Sequence, residues 1–303
     1  METNSIDLSR FTERLKFYFS QDPILSSFLD ENYFWSGQGM RGKLCLKVGQ
    51  FFDLEDDVLL DIAAFTEFLH NASLIHDDLI DKDVERRGHP TIWAKYGKSK
   101  ALLVGDLLIA KAFKIASTAG VDSSVKSQWM FEISDTVSHA VRGALNELEF
   151  KIQDNDSLYD QYFKVAADKT GVLFSLPVRC LAIASQSDAT ILDSLSNIFS
   201  NLAVAYQIKD DQADFLGAKA GRSHSSDILN GRPNLYHLLA SSDRPLSETF
   251  TAISKYQSKL IESATASSAS LPIQVRLTLE KLLLPFVELK PYPASHPEIS
   301  LTT

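Results

Sequence analysis

Two short acidic stretches stand out as chemistry. One is Asp77-Asp78-Leu79-Ile80-Asp81 and the other is Asp210-Asp211-Gln212-Ala213-Asp214. Both read Asp-Asp-x-x-Asp, and both close a strongly apolar run of helical character, AFTEFLHNASLIH and NIFSNLAVAYQIK. Positions four apart share a helix face, so Asp77 pairs with Asp81 and Asp210 with Asp214. Like charges at that spacing destabilise a helix by roughly 0.2–0.5 kcal/mol per pair. A neighbouring buried face adds desolvation. Such an arrangement calls for a compensating cation. An all-oxygen donor set without His or Cys selects Mg²⁺, Mn²⁺ or Ca²⁺ over zinc. Mg²⁺ keeps several waters and shares the rest of its shell between one or two carboxylates and substrate phosphates. The two sets therefore predict a Mg²⁺-diphosphate site. The bland alternative is a pair of solvated helix ends. One such match arises readily by chance at this aspartate content, and two far less so. A third group, Asp56, Asp57 and Asp61, precedes its apolar run and reads as first-turn acids favoured by the macrodipole.

Cations are interleaved with the acids. Arg86-Arg87-Gly88 follows the first cluster, Lys169-Thr170-Gly171 lies inside another helical run, and Arg222 and Arg232 follow the second cluster. Guanidinium forks bind phosphate bidentately. Each cation alone reads as a surface charge; together they suit a polyanion held through metal bridges.

The elements that must hold these residues are helices. Pro90 to Pro177 and Pro177 to Pro233 are long proline-free stretches, and chains that avoid such breakers are usually helical. Apolar residues recur at helical spacing over 5–19 and 58–75, while 102–113 and 191–208 are apolar almost all round, as in central helices. No alternating strand pattern is sustained, which gives about ten helices and an all-α class. Of the 303 residues, 45% are hydrophobic and 23% charged, the balance of a globular chain rather than a disordered one. No Pro/Gly/Ser linker divides it, so residues 1–303 read as one domain. The stretch 217–234 reads as a functional loop, 264–270 as a surface turn and 290–303 as a loose tail. The net charge of −9 opposes nucleic-acid binding. No apolar run approaches a membrane span, and the N-terminus lacks a signal-peptide pattern. A soluble cytoplasmic protein is expected. Cys45 and Cys180 read as buried small hydrophobes, Trp35, Trp93 and Trp129 as core or interface, and His76 and His139 as packed or surface histidines.

Taken together, Glu67 through Asp81, Arg86-Arg87-Gly88, Pro90-Thr91, Gly105-Asp106, Lys169-Thr170-Gly171, Tyr206 through Asp211 and Gly221-Arg222 through Ser226-Asp227 resemble the trans-isoprenyl diphosphate synthases in order and spacing. The resemblance covers about residues 37–240. It implies an all-α isoprenoid synthase barrel of roughly ten or more helices around a deep apolar cavity, usually in a homodimer. It also implies head-to-tail condensation of an allylic diphosphate with isopentenyl diphosphate. Carried over, Asp77, Asp81 and Asp210 would bind three Mg²⁺ (Mn²⁺ being possible), supported by Asp78, Asp211 and Asp214. Arg86, Lys169 and Arg222 would hold the allylic diphosphate. Gln38, Arg41, His70 and Arg87 would hold isopentenyl diphosphate. Lys169, Thr170 and Gln207 would face the reacting carbon.

The departures are specific. Gln38 stands where the family has lysine, Arg222 and Arg232 replace lysines, Asn234 and Tyr236 stand where Thr and Pro are usual, and Ala144 replaces a Gln. In the family a bulky aromatic five residues before the first aspartate shortens the product. Here Ala72 and Ser73 are small, with Phe68 and Leu69 a turn below, so geranylgeranyl or a longer product is expected; Leu107, Lys111 or Phe113 from a facing helix could close the cavity instead. Three rivals remain. A terpene cyclase on the same fold fits Gln38. A non-catalytic partner subunit is opposed by the intact acidic clusters. A di-iron bundle needs a second Glu-x-x-His beside Glu67-His70, and none is present. The Gly37 to Gly42 stretch also spells a dinucleotide fingerprint, but no strand pattern surrounds it.

Overall fold

The computed structural model describes residues 8–37, 39–151, 157–217, 232–240 and 245–290. Gln38, Arg222 and the tail from 291 lie outside them. The chain is helical as expected. After α1 (Leu8–Ser20), α2 (Pro23–Ser26) and α3 (Asn32–Trp35), α4 (Met40–Gly49) leads into the central helix α5 (Asp56–Asp81). A short hairpin and α6 (Ile92–Tyr96) precede α7 (Lys98–Thr118) and α8 (Ser123–Leu148). Then come α9 (Leu158–Ala166), a π-helical turn (Ala167–Gly171), α10 (Val172–Ala184) and α11 (Ala189–Phe215). Helices α12 (Leu235–Ala240), α13 (Leu246–Ser267) and α14 (Ile273–Val287) complete the described chain.

Helix α5 is apolar on nearly every side because other helices surround it. It packs on α4, α7 and α10; α7 packs on α8, α8 on α10, and α10 on α4 and α11. By length and hydropathy α5 would pass for a membrane span, but 89% of its apolar window is buried among these helices. The N-terminal acids of α5 have partners on α1. Arg10 reaches Asp56 at 2.5 Å, Arg14 pairs with Asp57 and lies 3.0 Å from Asp61, and the Tyr18 hydroxyl donates to Asp61 at 2.6 Å. The first-turn reading holds for Asp56 and Asp57 but not for Asp61, which is buried one turn further on, and the three acids fasten α1 along α5.

Both long acidic helices, α5 and α11, end at the same functional pole. A cavity of about 480 Å³, lined by Phe51, Phe52, Ile191, Leu195, Leu271 and Val275 among others, lies at the opposite one. Residue 191 is 19 residues before Asp210, or ~28 Å along the helix.

One expected turn is not a turn. Residues 264–270 form the end of α13 and a 3₁₀ turn, Ser268–Ser270. Ser and Thr continue the helix by donating to it: Thr265 Oγ1 to the Ile261 carbonyl and Ser268 Oγ to the Thr265 carbonyl. Ala264 and Ser268 are buried. Lys290 is fastened through both backbone groups by Gln212; the rest of the expected tail lies outside the described residues. The three tryptophans are anchored by indole donation: Trp35 to Leu29, Trp93 to Asp83 and Trp129 to Cys180 carbonyls. Both cysteines are free and buried.

The π-helical turn fits against α8 only because residue 143 is glycine. A Cβ there would stand 2.4 Å from the Lys169 backbone nitrogen. Gly143→Ala is expected to destabilise the protein by about 1–3 kcal/mol, read as a lower denaturant midpoint at unchanged slope. Gly120→Ala, where a Cβ meets nothing within 4 Å, is the control and should leave the midpoint unchanged.

Candidate active site

Each acidic cluster divides into half-buried and fully buried members. In the first, Asp77 and Asp81 are half-buried and Asp78 is fully buried. Asp78 accepts from the Tyr33 hydroxyl at 2.7 Å and from Arg86 Nε at 2.7 Å, with Arg86 Nη2 at 2.6 Å. In the second cluster Asp210 is half-buried, while Asp211 and Asp214 are buried. Asp211 accepts from the Tyr162 hydroxyl at 2.8 Å, the Leu235 backbone at 2.8 Å and Gln207 Nε2 at 2.9 Å. The second aspartate of both clusters is thus held by a buried tyrosine hydroxyl, 45 and 49 residues away. Burial pushes the Asp78 carboxyl up, against the pull of Arg86.

Cations stand between the half-buried carboxylates and the buried Glu147. Lys169 Nζ lies 2.5 Å from Glu147 Oε2 and 3.8 Å from Asp77. Arg232 Nη1 lies 2.7 Å from the same Glu147 oxygen, and its Nη2 pairs with Asp81. The chain of charges runs Asp77, Lys169, Glu147, Arg232, Asp81. Burial raises the Asp77 carboxyl; Lys169 opposes this, and Glu147 and Asp81 add to it.

A second polar group lies deeper along α5. Glu67 and His70 share it with Arg41 of α4. Arg41 Nε, Glu67 Oε2 and His70 Nδ1 are buried without a hydrogen-bond partner. Burial lowers the Arg41 guanidinium to about 10, so it remains a cation at neutral pH, and its head lies 4.1 Å from the Phe174 ring centre. Burial, then Arg41 and Arg87, hold His70 well below its usual range, so it is neutral. Burial raises the Glu67 carboxyl, while Arg41 and Arg87 draw it down. Arg87 comes from the hairpin Glu85–Arg86/His89–Pro90, whose register pairs Arg86 with His89. Its two-residue turn is Arg87 (φ 54°) and Gly88 (φ 78°), both positive as a type I′ turn requires. A Cβ on Gly37 would stand 2.4 Å from Arg87 Nη1.

Of the sequence-derived site residues, Asp77, Asp78 and Asp81 are paired with Lys169, Arg86 and Arg232, while Arg41, His70 and Arg87 belong to the deeper group. Arg86 is engaged by Asp78, and the Gln207 amide by Asp211. Thr170 is half-buried in the π turn. Ala72 is fully buried, and half-buried Ser73 donates to the His70 carbonyl. Phe68 turns toward α1, its ring 5.0 Å from Phe19 and 6.5 Å from Tyr18. Gln38 and Arg222 lie outside the described residues. Sequence reasoning missed Glu147, Tyr33 and Tyr162, and gave Glu67 no role at the site. Glu147 and the tyrosines carried no usable signal.

Among the described residues no three acidic, His or Cys side chains converge tightly enough to cage an ion by themselves. The donor chemistry nonetheless fits a divalent ion shared with phosphate. Asp77, Asp81 and Glu147 outnumber Lys169 and Arg232 by three charges to two, and all the acidic donors are oxygen.

The split predicts two distinct phenotypes. Asp78→Asn leaves Arg86 without its buried partner and is expected to lower stability by about 3 kcal/mol. Asp77→Asn is expected to change stability by less than about 1 kcal/mol while abolishing turnover. Denaturation curves beside activity assays check both.

Comparison with known proteins agrees with this geometry. The polyprenyl synthetase family profile matches residues 22–275. A short chain isoprenyl diphosphate synthase of Methanocaldococcus jannaschii is 31% identical over 75% of this chain and 69% of its own length. The geranylgeranyl pyrophosphate synthetase of Pyrococcus horikoshii superposes with a TM-score of 0.77 at 24% identity, over 92% of this chain and 95% of that one. A polyprenyl synthase of Caulobacter crescentus, complexed with calcium and isoprenyl diphosphate, gives 0.78 at 21% identity over 92% and 94%. With its two acidic helix ends and interleaved cations in that setting, the chain belongs to the polyprenyl synthetase family of prenyltransferases.

Proposed function

We propose that this prenyltransferase joins an allylic diphosphate to isopentenyl diphosphate, head to tail, and releases geranylgeranyl or a longer prenyl diphosphate. One observation carries the reading. His70 lies seven residues before Asp77 on α5, which puts them on one helix face ~10.5 Å apart. An acidic, cation-laced site and a buried group in which Arg41 Nε, Glu67 Oε2 and His70 Nδ1 lack a hydrogen-bond partner therefore stand two turns apart. That suits two diphosphates.

Divalent ions, Mg²⁺ by the all-oxygen donor set, would be held by Asp77, Asp81 and Asp210 and would neutralise the leaving diphosphate. The calcium in the Caulobacter relative is in keeping with such donors. Lys169 and Arg232 supply fixed positive charge at the same pole. Arg41 and Arg87 anchor the acceptor's diphosphate, and neutral His70 has a ring nitrogen free to bond it. Phe174 and the apolar walls of α5 and α10 exclude water from the allylic cation. Thr170 and Gln207 face that cation. The acceptor alkene attacks, and its proton leaves to the released diphosphate.

The same chemistry supports association of two copies. Leu102 and Leu103 on α7 and Phe131, Val141, Leu145 and Leu148 on α8 are 48–68% exposed, forming an apolar stripe of the kind that marks an interface. Phe131→Glu with Leu145→Glu is expected to convert a homodimer to monomers in sedimentation velocity.

The deciding assay supplies Mg²⁺, farnesyl diphosphate and isopentenyl diphosphate, with all products read by mass. Longer diphosphates that require isopentenyl diphosphate are expected. Hydrocarbons or alcohols from the allylic substrate alone would overturn the reading in favour of a cyclase. Product length tests the small residues on α5. Ala72→Phe and Ser73→Phe should both shorten the product, Ser73→Phe more strongly because it shares the face of Asp77.

A further inference from the structure

Arg232 occupies an unusual place for a diphosphate-binding cation. Its guanidinium is not held open toward solvent. One arm pairs with Asp81 and the other with Glu147, and its side chain is only 8% exposed. Asp81 and Glu147 are nearly as enclosed, at 13% and 11%. Lys169 shares the same Glu147 oxygen with Arg232 and faces Asp77. The carboxylates of the first cluster therefore already face counter-charges, from two side chains that are themselves suited to a diphosphate.

A planar fork can bridge two carboxylates at once; an ammonium is a point charge and bridges them poorly. Arginine rather than lysine at 232 thus strengthens the internal pairing. An ion approaching Asp81 alone must displace a guanidinium from a partly buried carboxylate, leaving that cation short of a partner. A diphosphate arriving with the ion removes this penalty, because it gives Arg232 and Lys169 new anions while the ion takes Asp77 and Asp81.

We infer that Arg232 is a latch on the first aspartate cluster: it holds Asp81 and Glu147 against divalent ions until a diphosphate draws it away. This rests on the reading above that a diphosphate binds at this pole. Ion and diphosphate then bind with strong mutual dependence, and the protein takes up little free metal without substrate.

The test measures Mn²⁺ binding to the full chain, by the electron paramagnetic resonance signal of free Mn²⁺, with and without inorganic diphosphate. Wild type, Arg232→Gln and Arg232→Lys are compared, each checked for a cooperative melt. Without diphosphate, Arg232→Gln should bind Mn²⁺ about tenfold more tightly than wild type, the effect of removing one competing charge-assisted pair. Arg232→Lys should gain about threefold, since the point charge releases one of the two carboxylates. With diphosphate, wild type should tighten by a larger factor than either variant. Variants that bind Mn²⁺ no more tightly than wild type without diphosphate overturn the latch. Because Arg232→Lys keeps the charge, it decides the matter even if Arg232→Gln fails to fold. The two readings fail separately: a protein that makes no prenyl product yet shows this metal dependence keeps the latch and loses the synthase, and the converse pattern keeps the synthase and loses the latch.

Discussion

The structure depends on an unfavourable placement of negative charge. Six aspartates stand at the C-terminal ends of α5 and α11, where the helix macrodipole is itself negative and cations are preferred. Burial against apolar helices makes the placement worse. In the local sequence Gln207 relieves Asp211 from one turn back, and the rest of the relief comes from other elements of the chain. The C-terminal residue capping α5, Lys82 in the left-handed conformation, ends the helix directly after Asp81. Hairpin, π turn and the segment at 232 then bring Arg86, Lys169 and Arg232 to this pole.

Relief comes in two forms, which separate structure from chemistry. Asp78 and Asp211 are fully buried and saturated with donors: tyrosine and arginine for one, tyrosine, backbone amide and glutamine amide for the other. A buried carboxylate with that many bonds is a fixed part of the framework. It ties α3 and the hairpin to the end of α5, and α9 and α12 to the end of α11. Asp77 and Asp81 instead face exchangeable partners on long flexible side chains. A rigid second residue beside a replaceable first one lets the helix end hold still while its counter-ions change.

Much of this was legible in the sequence, and the unread part has a common cause. The helices carrying both clusters and the ends they share follow from periodicity, because helical spacing is local; the all-round burial expected of 102–113 and 191–208 does not hold, since Leu102, Leu103 and Tyr206 are exposed. The pairing of Asp78 with Tyr33 and of Asp211 with Tyr162 is invisible, because those partners meet only through the tertiary fold. Glu147 carries no mark of its role in the sequence around it, because Lys169 and Arg232 reach it only through the tertiary fold. Residues 264–270 looked like a turn by composition, yet their hydroxyls bond back to the helix and Ala264 finds a buried place. Phe68 looked like a cavity floor by spacing, but spacing fixes only which side chains share a face, and α1 claims that face with Phe19.

The hairpin after α5 shows why adjacent arginines can serve different sites. On a helix, neighbours differ by 100° and both would remain near the same surface. On a two-residue β-turn they do not. Arg86, still in the strand, pairs with Asp78; Arg87, at positive φ, is thrown against Gly37. Positive φ costs a non-glycine residue energy, so this conformation persists because the turn and its antiparallel register enforce it. Glycine at 37 then removes the one Cβ that would bar the guanidinium. Hairpin and glycine together deliver a cation to the buried Arg41, Glu67 and His70 group, while the preceding residue stays committed to the framework. Two like charges can be adjacent in sequence here because the backbone sends them to different anions.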